Sequence, residues 1–236
     1  MFSREFQYEV NGVTFDGAVA LDDARSGKRP AVMVFHGWEG RSDAQVECAR
    51  ALAKLGYAGV ACDVFGSGIR GDIAGDNSAL IAPFFRDRAM LRARLVGTVG
   101  VVQSLPEVDP SRVAAIGFCF GGLCVLDLAR SGVDIRAVAS FHGLFGNPEG
   151  LPTASIKAKV VAFHGWNDPL APPEDVVALA KELTETGADW EIHAYGGTMH
   201  AFMVPGANRP EAGIQYNERA ARRAWASLVA FLAEAL

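Results

Sequence analysis

No run of about 18 consecutive apolar residues occurs in this chain of 236 residues, so no transmembrane helix is expected. Basic residues are in the minority. There are 22 Lys and Arg against 27 Asp and Glu, a formal net charge of −5. That argues against a nucleic-acid partner, which calls for clustered positive charge, and against attraction to an anionic membrane. Cysteine is scarce, and its four copies (Cys48, Cys62, Cys119 and Cys124) form no CxxC pair. Zinc-ribbon and thioredoxin-type chemistry are therefore poor readings. In a reducing compartment all four are expected to be free thiols, three of them acting as small core residues. The start, Met1 to Val10, lacks the basic residues and apolar stretch of a signal peptide. A cytoplasmic location is expected. No linker, low-complexity segment or long charge run divides the chain, so one domain over 1–236 is expected.

What is present is an alternation of strand-like and helix-like segments. Residues 4–10 and 13–21 read as two strands joined by an Asn11-Gly12 hairpin turn. Ala31 to Phe35 is a continuous apolar run, as a strand buried on both faces requires. Ser42 and Gln45 form a capping box ahead of Val46, Ala49, Leu52 and Ala53 at helical spacing. Tyr57–Cys62 reads as a strand and 63–84 as a long glycine-rich connection that could form a small lid or line a pocket. Residues 85–105 read as a helix with Leu91, Leu95, Val99 and Val102 on one face. Val113–Phe118 reads as a strand, Gly121–Ser131 as a helix, and Ile135–Phe141 and Lys159–Phe163 as strands. A helix starts at Pro172-Pro173-Glu174-Asp175, with proline at the entry and acids in the first turn. Trp190–Tyr195 is the last strand, and a final helix carries Trp225, Leu228, Leu232 and Leu236. The pattern predicts an α/β fold of the α/β-hydrolase kind, a doubly wound, mostly parallel sheet with an N-terminal antiparallel hairpin. In such sheets, sites lie at the carboxyl ends of the strands.

One strand end reads Gly117-Phe118-Cys119-Phe120-Gly121-Gly122 and runs into a helix. This is a nucleophile-elbow pattern with cysteine in the serine position. Glycines two residues either side of the nucleophile are what so sharp a turn needs. The helix start behind the sulfur favours a thiolate. A dinucleotide-binding loop would need its glycines spaced GxGxxG. Two further strand ends follow in the order nucleophile, acid, histidine: Asp168 after Lys159–Phe163, and His200 after Trp190–Tyr195. His200 can take the thiol proton while Asp168 holds the imidazole tautomer. Oxyanion donors are expected from the backbone N–H groups of Phe120 and Trp38, the latter in the loop His36-Gly37-Trp38-Glu39-Gly40. Three strands end in a Phe-His-Gly triplet, at His36, His142 and His164. No carboxylate or cysteine cluster completes a zinc or iron site around them, so no metal or cofactor is expected. Their rings are expected to pair with backbone. Trp38, Phe118, Phe120, Phe141, Trp166, Met199 and Phe202 lie near the expected site, some as pocket walls and others as core.

HGWEG at 36–40, GFCFGG at 117–122, the Asp168 turn and GGTMHAF at 196–202 together resemble the dienelactone hydrolase (carboxymethylenebutenolidase) family. The likeness runs from about residue 10 to the final helix. It implies an α/β-hydrolase with a small lid, a Cys119-Asp168-His200 triad, an oxyanion hole at Trp38 and Phe120, and hydrolysis of esters or lactones. There are two departures. Family members that cleave dienelactone carry a glutamate just before the oxyanion-loop residue, where it contacts the nucleophile. Here that residue is Gly37, and Glu39 is the nearest acid, either a modulator of the thiol or a solvated surface acid. They also hold the substrate carboxylate with an arginine just after the histidine. Here Phe202-Met203-Val204-Pro205 follows, leaving Arg70, Arg86 or Arg88 as substitutes, with Arg86 preferred and Phe202 as a further substrate contact. The expectation is therefore a cysteine-dependent hydrolase of small esters or lactones, acting as monomer or homodimer. The alternatives are a general carboxylesterase for small activated esters and, in another class, a non-catalytic binding protein on a hydrolase fold.

Overall fold

Asn11 and Gly12 both take positive φ, 51° and 75°, which is what a tight turn between twisted strands requires. They join β1 (Phe2–Val10) to β2 (Val13–Leu21) in an antiparallel hairpin. The structure, a computed structural model, describes residues 1–72 and 75–236. β3 (Arg29–Phe35) is followed by α1 (Asp43–Lys54), whose capping box is present: Ser42 N–H donates to Gln45 Oε1 at 2.8 Å. Its expected apolar stripe, Val46, Ala49, Leu52 and Ala53, is buried. β4 (Ala58–Cys62) then pairs parallel to β3 and antiparallel to β2.

The segment expected as a connection over 63–84 is a correction in its second half, where α2 (Ser78–Arg86) forms. Glycines and the interior Pro83 disguise it in the sequence. Positions 73 and 74 of the expected lid lie outside the described residues. α3 (Arg88–Ser104) buries Leu91, Leu95, Val99 and Val102, as its periodicity predicts. Asp87 separates the two helices: at φ −131° it ends α2, and its carboxylate caps α3 by accepting from Met90 N–H at 2.8 Å.

β5 (Val108–Phe118) starts earlier than Val113, and its inner residues Val113–Ile116 are fully buried. Burying a side chain such as Val113 or Ile116 stabilises the fold by about 1.5–3 kcal/mol. Next come α4 (Phe120–Arg130), β6 (Ala137–Phe141), β7 (Lys159–Gly165), α5 (Pro173–Glu185) and β8 (Trp190–Tyr195). A small antiparallel hairpin, β9 (Asn208–Arg209) and β10 (Ile214–Gln215), precedes α6 (Glu218–Ala235). Of the stripe expected on α6, Leu228 and Leu232 are fully buried, while Trp225 is half-buried and Ala224 takes the inner place.

Sheet order is β1-β2-β4-β3-β5-β6-β7-β8, with β6, β7 and β8 parallel. The expected α/β fold, a mostly parallel sheet with an N-terminal antiparallel hairpin, is the one observed. The chain forms two compact units, Met1–Ile116 and Gly117–Leu236. Among the described residues no helix is long and apolar enough to cross a membrane.

Candidate active site

The second unit begins at the elbow. Cys119 is the residue before α4 and holds φ 55°, ψ −115°, a region that L-residues rarely enter. Gly117 explains the motif's spacing: a Cβ there would lie 2.0 Å from Gly121 O. Only a residue without a side chain fits. The bent backbone is tied down by Cys119 N–H donating to Phe141 O at 3.0 Å and by Gly122 N–H donating to Cys119 O at 2.9 Å. Below the elbow, the rings of Phe118, Phe141 and Phe163 stack, with centroids 4.9 and 4.7 Å apart. α4 behind it is buried along its whole length, and its N-terminus points its dipole at the half-buried Cys119.

Asp168 sits in the turn after β7 and is buried. Both its oxygens are engaged: Oδ1 accepts from Leu170 N–H at 2.8 Å, and Oδ2 lies 2.7 Å from His200 Nδ1. His200 Nε2 lies 3.2 Å from Cys119 Sγ. The three loops thus bring carboxylate, imidazole and thiol into one hydrogen-bonded line. Burial alone would lower the His200 pKa, but the hydrogen bonds and charges of Asp168 and Cys119 override it and raise it to about 10.

Backbone contacts hold the two supporting loops. Trp166 N–H donates to Tyr195 O at 3.0 Å and Asn167 N–H to Thr198 O at 2.9 Å. His200 itself is clamped by the β9–β10 hairpin: its N–H donates to Gly213 O at 2.9 Å and its O accepts from Gln215 N–H at 3.0 Å. Sequence reasoning missed this clamp, because two-residue strands leave no periodic signal.

The three Phe-His-Gly histidines differ. His36 pairs with backbone as expected, Nδ1 with Gly37 O at 2.7 Å and Nε2 accepting from Val64 N–H at 3.0 Å. His142 and His164 do not, a correction: both are fully buried, and none of their four ring nitrogens has a hydrogen-bond partner. Burial drives both pKa values down, that of His142 well below the usual value. Among the described residues no group of three or more His, Cys, Asp or Glu is placed to hold a metal ion.

In the first unit, Trp38 and Glu39 follow β3 and are half-buried. A Cβ on Gly37 would lie 2.6 Å from Glu39 Oε2, so the Glu39 carboxylate folds back over Gly37 and occupies the space where a residue-37 side chain would begin. Arg70 is committed to Asp16 at 2.9 Å, whereas Arg86 is exposed at the end of α2. Phe202, expected at the substrate, is fully buried against His142 and Tyr195. That makes it core rather than pocket wall, as are Phe120 and Phe141, while Trp166 is exposed.

An open, mostly parallel sheet with a nucleophile elbow and an acid and histidine on later strand ends defines an α/β-hydrolase. More narrowly, the chain belongs to the dienelactone hydrolase family, whose model matches residues 15–236. A solved structure described as a dienelactone hydrolase-like promiscuous phosphotriesterase, P91, from metagenomic libraries is 34% identical, with a TM-score of 0.91 over 99% of this chain and 98% of that one. Another, m3DLH, is also 34% identical, with a TM-score of 0.93 over 100% and 98%. A carboxymethylenebutenolidase homolog of Mus musculus is 26% identical over 64% of this chain and 61% of its own length.

Proposed function

We propose that the protein is a cysteine-dependent hydrolase of small-molecule esters or lactones that works through a thioacyl-enzyme. The observation carrying this reading is the unbroken line from Asp168 Oδ2 through His200 to Cys119 Sγ, at 2.7 and 3.2 Å. In the proposed sequence His200 takes the thiol proton, and Sγ attacks the carbonyl carbon. The oxyanion is received by the backbone N–H groups of Phe120 and Trp38. On collapse the C–O bond breaks and the alkoxide leaves with the proton from His200. Water then attacks the thioester as His200 takes its proton. The acid is released, and the sulfur leaves to be reprotonated. The family match across residues 15–236, on both sides of the boundary between the compact units, supports treating the chain as one hydrolase domain.

The substrate panel that tests this reading contains p-nitrophenyl acetate, a dienelactone and its methyl ester. The likeness to P91 adds a phosphotriester to the panel. Turnover of none of them would favour a non-catalytic binding protein. A carboxylate in a closed pocket needs a paired cation, for which a bidentate arginine is best. No arginine follows His200 closely, and Arg70 is held by Asp16. Neutral esters are therefore expected to outperform the free acid in kcat/KM. A preference for the free acid would overturn this, and its loss in Arg86→Ala would identify the cation.

Glu39 is proposed as the acid that modulates the thiol, supported by its carboxylate standing over Gly37. Nearby charge of that kind shifts a titration by about one pH unit or more. Glu39→Gln is expected to move the pH profile of kcat/KM by about that much. An unchanged profile makes Glu39 a solvated surface acid.

A further inference from the structure

Among the described residues four non-glycine residues take positive φ: Asn11, Cys119, His142 and Ala201. Such conformations cost of order 1–3 kcal/mol each and persist only where the surroundings impose them. The hairpin turn accounts for Asn11. Cys119 is the elbow, and Ala201 directly follows His200. His142, at φ 37°, makes the sharp bend just past β6 with a residue that is neither glycine nor asparagine. Its ring is fully buried and gains no hydrogen bond from that placement, since neither nitrogen has a partner. The strained backbone instead sets the ring edge to face against His200, centroids 5.1 Å apart at 73°, with Phe202 on it at 5.4 Å and Phe118 at 6.1 Å.

The backbone around His142 is equally tied. Its N–H donates to Phe163 O at 2.9 Å, and the carbonyl just before it, Phe141 O, accepts from Cys119 N–H at 3.0 Å. Two consecutive residues at the end of β6 therefore touch the nucleophile through a carbonyl and the histidine through a ring. We infer that His142 is a positioning residue for His200, its ring fixing the plane of the imidazole on the line between Asp168 and Cys119. This rests on the reading of His200 as the base. Fully buried beside His200, His142 is held neutral: burial disfavours its charge, and whenever His200 is protonated a second cation 5.1 Å away would be repelled. The charged group acting on His142 directly is His200, which is itself bonded to Asp168 and Cys119; His164, inside β7, acts on the same His200 and Asp168 rather than on His142. What this role requires of residue 142 is an uncharged flat ring, not a hydrogen bond.

Two variants separate the ring from its nitrogens. His142→Phe keeps the ring. His142→Asn removes it with a residue that tolerates positive φ. The readouts are kcat and KM on p-nitrophenyl acetate and the pH dependence of Cys119 alkylation by iodoacetamide, which reports the thiol–imidazole pair without a substrate. His142→Phe is expected to keep kcat within about threefold and the alkylation profile in place. His142→Asn is expected to lose about 10- to 100-fold in kcat with KM little changed, as slight misplacement of a catalytic group does, and to shift its alkylation profile toward that of an unassisted thiol. A His142→Asn protein with the wild-type profile and kcat overturns the inference. So does a folded His142→Phe protein that loses more than tenfold in kcat, which decides the matter even if His142→Asn does not fold. If wild-type Cys119 shows no preferential alkylation, it is the catalytic reading that fails, whatever the variants do.

Discussion

Cys119→Ala is expected to lose kcat/KM for p-nitrophenyl acetate by a factor of about 10³ or more while keeping its melting temperature close to that of the wild type. The substitution deletes one sulfur and leaves the strained backbone, the Phe141 hydrogen bond and α4 as they are. His200 and Asp168 keep their places, and on the proposed mechanism no nucleophile is left to activate. In the wild type, burial pushes the thiols of Cys48 and Cys62 up to about 12, and Cys124 is buried. Iodoacetamide at neutral pH is therefore expected to label Cys119 first, as read by peptide mass mapping. Near-wild-type turnover by Cys119→Ala would remove cysteine from the mechanism, and equal labelling of all four thiols would remove its activation.

Folding stability is expected to peak near pH 6.5 and to fall on both sides. Burial lowers the pKa values of His142 and His164 in the folded protein, while in the unfolded chain they return to about 6.5. Below that pH the unfolded state binds protons that the folded state refuses. Stability then falls by up to about 1.4 kcal/mol per pH unit for each histidine, until the folded values are reached. Asp16, lowered to about 2, and Asp63, also lowered, add their losses only further down, once free carboxyls begin to protonate near pH 4. His200 acts in the opposite sense. Raised to about 10, it contributes stability that is complete below pH 6.5 and lost as pH rises toward 10. Urea unfolding at pH 5, 6.5 and 8 measures both limbs. His142→Phe is expected to make the acid limb shallower by about one proton. A flat curve between pH 6.5 and 5 would mean that neither ring is held neutral.

The parts of the molecule legible in the sequence were those with a local physical signature. The apolar run of β3, the capping box of α1 and the stripe Leu91, Leu95, Val99, Val102 each report a periodicity or a cap that tertiary contacts then reinforce. Gly117 and Gly121 announced the elbow because a Cβ at 117 has nowhere to go. The order Cys119, Asp168, His200 followed from strand ends, and the structure brings those three side chains into one line. Less was legible where identical local sequence meets different surroundings. Three Phe-His-Gly triplets look alike, yet only His36 finds backbone partners, because what faces each ring comes from elsewhere in the chain. α2 was hidden by Pro83 and the glycines before it. The closeness of Glu39 to Gly37 depends on a side chain folding back over two residues, which no spacing rule announces.

The clamp on His200 is made of peptide groups alone, Gly213 O and Gln215 N–H. Peptide groups are common to every residue type except proline's missing donor. Most side chains of β9, β10 and the turn between them are therefore irrelevant to where the histidine sits, and Asn208–Ala212 and Gln215 face solvent. Gly213 is the exception, since at φ 71° a Cβ there would meet the Pro169 ring at 2.2 Å. The protein thus keeps a short stretch of interchangeable surface directly beside the histidine proposed as the base. A library randomised at 208–212 and 215, proline excepted at 215, is therefore expected to leave the line from Asp168 through His200 to Cys119 in register, so this hairpin can change its surface without moving the histidine.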